Sequence, residues 1–287
     1  MKGERIMIRF GAPLPEFRSP EEWVRLNRKL GYNAAYVPVD ENASESEIEE
    51  YLCAARENDI VLAEVGAWSN LISPDPKIKE AAIEYNIRRL ALAERVGARC
   101  CVDVSGSKGS YWCGSDPGNY AEGTYEETIE VIRRVIDAVK PEKTYYSMEF
   151  MQWAYPDSTD CCLRMIRDVD RERFAVHLDP VNILNMPEKV YKNGEIIRDA
   201  FARLGPMIRS CHAKDVFMDT KFLVHISEIR IGLGSLDYSA YLTELAKYPE
   251  VPLMLEHLDT QEEYRLAADQ VRLYAKTLGL SMPQPQL

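Results

Sequence analysis

Four side chains able to bind a metal recur at comparable stations in the second half of the chain: Glu149 in YYSMEF, Asp179 in FAVHLDP, His212 in IRSCHAKD and Glu256 in PLMLEH. Each sits in or at the end of a run that is otherwise apolar. A carboxylate buried in such a run is costly unless it is paired or metal-bound. One such residue is compatible with a structural ion pair, and a network of ion pairs is the alternative to a metal for all of them. Four successive runs doing the same thing at the same height point to one shared divalent ion. Three carboxylates and an imidazole form a hard, oxygen-rich set. Mn²⁺ is the expected ion, with Mg²⁺, Co²⁺ and Zn²⁺ as alternatives.

Positioning these residues requires parallel strands ending on one side. Short β-branched runs alternate with longer runs of helical period along the whole chain, the βαβ signature. The strands read from sequence are 5–11, 34–39, 60–65, 99–104, 145–150, 174–179, 208–214 and 252–256. Most are apolar throughout, as in a parallel sheet covered on both sides. Eight of them predict closure into a (β/α)₈ TIM barrel, a single domain over residues 1–287, with the site at the C-terminal mouth. Helix boundaries carry their own signals. Ser19-Pro20-Glu21-Glu22 opens one helix and Gly31 follows it; Ser44 opens the next, and Asp75-Pro76 opens a long one ending near Gly97. Thr124 is read as the cap of a helix closed by Pro141, followed by helices over 157–168, 194–204, 236–248 and 260–278. A flavodoxin-like open sheet is the alternative, but no Gly-rich turn follows the first strand.

Composition narrows the partners. The 287 residues are 46% hydrophobic and 28% charged, enough to bury a large core, and the formal net charge is −11. A phosphate backbone would be repelled by that field, so nucleic acid is excluded as the default partner and a small molecule is favoured. No stretch approaches the roughly 20 apolar residues of a membrane span. The N-terminus reads as a first strand and not as a signal peptide. The seven cysteines include two adjacent pairs and no CxxC, which reads as reduced thiols in a cytoplasmic enzyme. A homo-oligomer or a partner subunit is compatible with the helix faces, which mark no interface.

The phrases AEVGAWSN, SMEF, HLDPVN, SCHAKDV, GLGSLDY and LEHL resemble those of the xylose isomerase-like TIM barrels, the sugar phosphate isomerases and epimerases, from about Ala63 to Leu258. The resemblance implies that Glu149, Asp179, His212 and Glu256 bind one metal. It also implies that Glu149 and Glu256 act as an acid–base pair, one on each face of a sugar. The chemistry is coherent. A cation on a carbonyl oxygen and the neighbouring hydroxyl stabilises the enediolate left when the adjacent carbon loses its proton. A second acid returning the proton on the opposite face inverts that carbon, and return to the neighbouring carbon isomerises aldose and ketose. The expected function is therefore a metal-dependent isomerase or epimerase of a small sugar, keto-sugar or sugar phosphate. The alternative is a lyase that eliminates a β-substituent from a 3-keto sugar by dehydration or glycoside cleavage. A three-zinc endonuclease needs more than the four histidines present. A non-catalytic sugar-binding subunit would be expected to lack one of the glutamates.

Candidate substrate-binding residues are His177, Asn182, Lys214, Trp68, Trp112, His225 and Arg230. His177 shares strand parity with Asp179 and is read as a substrate or supporting group, or as a core histidine one layer below. Asn182 stands where many relatives carry a substrate-binding histidine. Lys214 offers a cation for an oxyanion or phosphate, Arg230 is read as a ligand for a phosphate or carboxylate or as a surface residue of a long loop, and His225 lies on that same loop, where it can serve as a base or simply be solvated. Trp68 and Trp112 offer apolar faces to sugar C–H groups or cover the rim, and Glu64 and Asn70 cluster with Trp68. Asp103 is a candidate for substrate hydroxyls. Asp215 is assigned to a helix cap and His257, by alternation, to the helix-facing side.

Overall fold

The computed structural model describes residues 7–286. Its first strand, β1 (Phe10–Gly11), is followed by α1 (Pro20–Leu30), β2 (Ala34–Ala35), α2 (Glu45–Glu57), β3 (Val61–Leu62) and β4 (Glu64–Gly66). Next come α3 (Pro76–Val96), β5 (Cys100–Asp103), α4 (Glu122–Val139), β6 (Tyr146–Glu149), α5 (Thr159–Val169) and β7 (Phe174–Leu178). The last third holds α6 (Pro187–Tyr191), α7 (Asn193–Leu204), β8 (Ile208–Ala213), β9 (Asp215–Met218), β10 (Ile226–Ile229), α8 (Tyr238–Leu245), β11 (Leu253–Leu255) and α9 (Gln261–Thr277). Every strand expected from sequence is present in part. The beginning of the first, residues 5 and 6, lies outside the described residues.

Seven strands form one parallel sheet in the order β1-β11-β8-β7-β6-β5-β4, and β2 pairs with β3 in parallel. β3 and β4 are two halves of one extended segment: Ala63 between them donates to Ala35 on one side and accepts from Cys100 on the other. From β2 the pattern returns to β1, because Asn33 N–H donates to the Phe10 carbonyl at 3.0 Å and its side-chain oxygen accepts from Phe10 N–H at 2.8 Å. The two strands meet tightly there. A Cβ on Gly11 would lie 2.1 Å from the Ala34 carbonyl oxygen, so only glycine fits. Hydrogen bonding thus runs from each strand position to the next around the structure.

The helices cover the outside of this sheet. One apolar cluster joins Phe201, Tyr241 and Leu253, and another joins Trp23, Ile83, Leu90, Ile132 and Tyr146. The capping signals act as expected at Ser19, Ser44 and Asp75, whose side chains accept from N–H groups of the first turns, and Gly31 and Gly97 end their helices in the left-handed conformation; Thr260 caps α9 in the same way. One cap is corrected. α4 begins after Ala121, and Thr124 lies inside its first turn with its hydroxyl donating to the Gly118 carbonyl at 2.7 Å. Among the described residues no helix is long and apolar enough to cross a membrane.

The segment after β8 differs more. Its sequence reads as a long loop, but it folds into the antiparallel hairpin β9–β10. Asp215, expected to cap a helix, instead accepts backbone N–H groups of Val216, Gly232, Gly234 and Leu236 at 2.8–3.2 Å. It ties the base of the hairpin to the approach to α8.

Candidate metal centre

β6 and β8, with the residues that follow β7 and β11, bring Glu149, His212, Asp179 and Glu256 to one point, where one ligand atom from each lies within 4.8 Å of the others. His212 Nδ1 is 3.1 Å from Glu149 Oε1, 3.1 Å from Glu256 Oε2 and 3.9 Å from Asp179 Oδ2. Asp179 is oriented by the turn that follows its strand: Oδ1 accepts Val181 N–H at 2.9 Å, which leaves Oδ2 toward the cluster. The Asp179 Oδ2 and Glu256 Oε2 atoms are buried without a hydrogen-bond partner. Both lie 2.9 Å from Lys214 Nζ, a charge contact without hydrogen-bond geometry.

This donor set fits a hard divalent cation. Adjacent ligands of an octahedral ion with bonds of about 2.1 Å stand about 3.0 Å apart, close to the spacing from His212 to the two glutamates. The buried, unsatisfied carboxylate oxygens are what an ion would complete. Without one, protein cations carry the balance. Burial alone would lower the His212 imidazole, but Glu256, Glu149 and Glu64 raise it well above its usual range. Burial likewise opposes the charged form of Lys214, and Asp179 and Glu256 more than compensate, raising its ammonium well above normal. Burial pushes Glu256 upward, and His212 and Lys214 pull it well below the ordinary carboxylate range.

Beneath the cluster lies Glu64 on β4, 1% exposed. Its Oε1 meets His212 Nε2 at 3.0 Å, its Oε2 meets His177 Nε2 at 2.9 Å, and Ser210 Oγ donates to Oε2 at 2.6 Å. Burial favours its neutral form, but the two imidazoles override burial and hold its carboxyl far below the usual value. With Nε2–H committed to Glu64, His212 presents Nδ1 to the cluster, as an N–H donor to the carboxylates while the ring is charged and as a lone pair for an ion once that proton leaves. Glu64→Gln offers a single acceptor oxygen where Glu64 serves two rings. It is expected to weaken Mn²⁺ binding about 10- to 100-fold, measured by titration calorimetry, with the fold intact by circular dichroism.

The cluster opens into a cavity of about 660 Å³ lined by Trp68, Trp112, Glu149, Asn182, Lys214 and Glu256, among others. Trp68 Nε1 donates to Glu149 Oε2 at 3.2 Å and Asn182 Nδ2 to Glu149 Oε1 at 3.1 Å, so both hold that carboxylate while facing the cavity. Gly66 makes room for the indole. A Cβ there would lie 1.9 Å from the Trp68 ring. A larger groove of about 1420 Å³ on the outside of the molecule, lined by α1 and α2, contains none of these residues.

Other candidates are placed elsewhere. His177 is fully buried on Glu64, one layer below the cluster, and does not line the cavity. His225 is exposed just before β10, and Arg230 meets Glu263 at 2.9 Å in a smaller adjoining pocket of about 180 Å³ that shares Lys214, Glu228, Glu256 and His257 with the cavity. Asp103 is also corrected: fully buried, it accepts Ser69 N–H and Oγ–H and Val104 N–H, and so anchors the loop carrying Trp68. His257 does not face the helices. Its backbone takes a left-handed φ of 55°, and its ring lines the cavity with Nδ1 3.0 Å from Glu228 Oε2 on β10. Strand alternation fails at that point because the strand has ended. Glu64 carried the signal that exposed Glu149, a carboxylate inside an apolar strand, whereas Glu228 carried none because the hairpin was not foreseen.

A family description, "Xylose isomerase-like TIM barrel", matches residues 24–277. No curated protein matches the sequence. Among solved structures the chain resembles AsbF of Bacillus anthracis, a probable 3-DHS dehydratase involved in petrobactin synthesis (TM-score 0.70, 15% identity, covering 93% of this chain and 98% of that one). It resembles a D-psicose 3-epimerase from Clostridium cellulolyticum H10, solved with D-tagatose (TM-score 0.68, 16% identity, 95% and 100% covered). It also resembles a xylose isomerase-like protein from Mycobacterium smegmatis in complex with magnesium (TM-score 0.64, 17% identity, 95% and 96% covered). At these identities the likeness establishes the fold.

Proposed function

The chain belongs to the xylose isomerase-like TIM barrel family, and from that premise we propose that it is a divalent-metal-dependent isomerase or epimerase of a small sugar or keto-sugar. The observation that carries this reading is the shared position of Glu149 and Glu256. Each has an oxygen 3.1 Å from His212 Nδ1, and both line one cavity. Glu149 is held from the side of Trp68 and Asn182, and Glu256 from the side of Lys214 and His257. Two carboxylates brought to one cavity from different walls suit removal of a proton on one face of a carbon and its return on the other. Glu149, Asp179, His212 and Glu256 would hold the metal, Mn²⁺ or Mg²⁺ by donor hardness, which when bound supplies Lewis acidity for a carbonyl oxygen. Asn182, Trp68 and Trp112 would position the substrate, and Lys214 would donate to a developing oxyanion.

Incubating the Mn²⁺-loaded protein with a panel of keto-sugars in D₂O is expected to introduce deuterium beside the carbonyl. Tight metal binding with no exchange on any of the panel sinks the proposal. A lyase acting on a 3-keto sugar derivative is the second reading, and one observation favours it. Elimination needs an acid for the leaving group; His177 and His225 do not line the cavity, but His257 does, paired with Glu228 beside Glu256. Release of water or an aglycone from a 3-keto glycoside would identify it.

A further inference from the structure

The cavity is larger and less polar than the cluster requires. Besides Glu149 and Glu256, its lining includes Tyr111, Trp112, Met151, Trp153 and Ile226. Tyr111 is 66% exposed and Trp112 39% exposed, large rings left without a covering partner among the described residues. They are not on a slack loop. Asn70 exchanges two hydrogen bonds with the Ser107 backbone at 2.9 and 3.0 Å, and Asn119 Nδ2 bridges the Gly114 and Trp153 carbonyls at 2.9 and 3.1 Å. Asn70 and Asn119 are themselves buried, and Asn119 Oδ1 also accepts Lys108 N–H at 2.8 Å. The segment that presents Tyr111 and Trp112 is therefore fixed in place before anything binds.

The charge of the lining points the same way. Glu149, Glu228 and Glu256 line the cavity against one ammonium, Lys214, which already meets Asp179, Glu256 and Glu228 within 3.4 Å. A bound dication would offset the carboxylates of the cluster and leave no positive surplus. Among the described residues no arginine lines the cavity, and Arg230 meets Glu263 at 2.9 Å in the adjoining pocket. A phosphate or carboxylate group would meet there only cations already held by carboxylates, Lys214 by Asp179, Glu256 and Glu228, and His257 by Glu228.

We propose that the substrate is an uncharged polyol or sugar carrying an apolar ring, with the polyol part at the cluster and the ring on the wall of Tyr111, Trp112 and Trp153. This rests on the reading of the cluster as a sugar site and defines the class of sugar derivative it takes. Aromatic rings prefer offset or edge contacts with one another, and the wall offers such faces at the mouth of the cavity.

Equilibrium binding tests it without turnover. With the Mg²⁺-loaded protein in a calorimeter, phenyl β-glucoside is expected to bind about tenfold more tightly than methyl β-glucoside, and fructose 6-phosphate more weakly than fructose. Trp112→Ala is expected to reduce the phenyl advantage to about twofold. Asn119→Ala, which leaves every ring present but frees the loop, should reduce it in the same direction. Equal affinities for the phenyl and methyl glycosides, no binding of either, or tighter binding of the phosphate would overturn the proposal. Failure of the sugar-isomerase reading would show separately, as absent deuterium exchange with the phenyl preference intact.

Discussion

Glu149→Gln is expected to lower interconversion of sugar epimers about 10³- to 10⁴-fold at saturating metal, within the range of a lost general base. The substitution keeps the shape of the side chain and one carbonyl oxygen. Glu149 now takes Asn182 Nδ2 on Oε1 and Trp68 Nε1 on Oε2, and stands 3.1 Å from His212 Nδ1. An amide must turn its NH₂ toward one of these donors, so one contact is lost along with the base. The informative readout is stereochemical. If Glu149 and Glu256 serve opposite faces, Glu256 in the variant still exchanges the proton of one epimer with solvent, while interconversion disappears. Exchange lost equally from both epimers would indicate a single base, as in aldose–ketose isomerisation. Full turnover in the variant would remove Glu149 from catalysis altogether.

The same four residues show how far the sequence could be read. Glu149, Asp179, His212 and Glu256 were visible because each breaks an apolar strand, and strand ends of a parallel sheet converge on one mouth. That rule also applied to Glu64, but its partners His177 and Ser210 lie on other strands, and only the folded register shows one carboxylate serving two imidazoles. Asp103 met the same rule and yet turned to the Ser69 and Val104 backbone, since a carboxylate can be satisfied by local N–H groups as well as by an ion. His257 was misassigned because alternation holds only while the backbone is extended, and its φ of 55° rotates the ring into the cavity. Glu228 was invisible for a different reason: it reaches the site on a hairpin whose turn, 219–225, lacks the two-residue Asn-Gly or Asp-Gly signal of a tight β-turn.

Lys214→Met is expected to move stability and metal affinity in opposite directions. The Lys214 side chain is 3% exposed, and its Nζ lies 2.9 Å from both Asp179 Oδ2 and Glu256 Oε2. Removing one partner of a buried ionic group leaves charge uncompensated at a cost of about 3–5 kcal/mol. At about 2–4 °C per kcal/mol for chains of this order, the metal-free variant should melt about 6–20 °C lower than the parent. A dication entering the same cluster no longer meets a neighbouring ammonium. Two unit charges about 4 Å apart at an effective dielectric near 20 repel by about 4 kcal/mol and a dication doubles this, so even after screening Mn²⁺ should bind at least about tenfold more tightly. Added Mn²⁺ should therefore raise the melting temperature of the variant more than that of the parent. Proton linkage adds a check with a definite sign. The raised His212 imidazole contributes stability to the metal-free protein that is complete below about pH 6.5 and is lost as pH climbs through the higher folded-state value. Metal binding must expel the proton that Nδ1 shares with Glu149 and Glu256, so Mn²⁺ affinity should climb over the same interval. In the variant His212 faces Glu149 and Glu256 without the competing Lys214 ammonium and holds its proton harder, moving that climb to higher pH. If Lys214 instead serves to orient Asp179 and Glu256 for the ion, Lys214→Met will weaken Mn²⁺ binding at every pH, and the electrostatic account of the site fails.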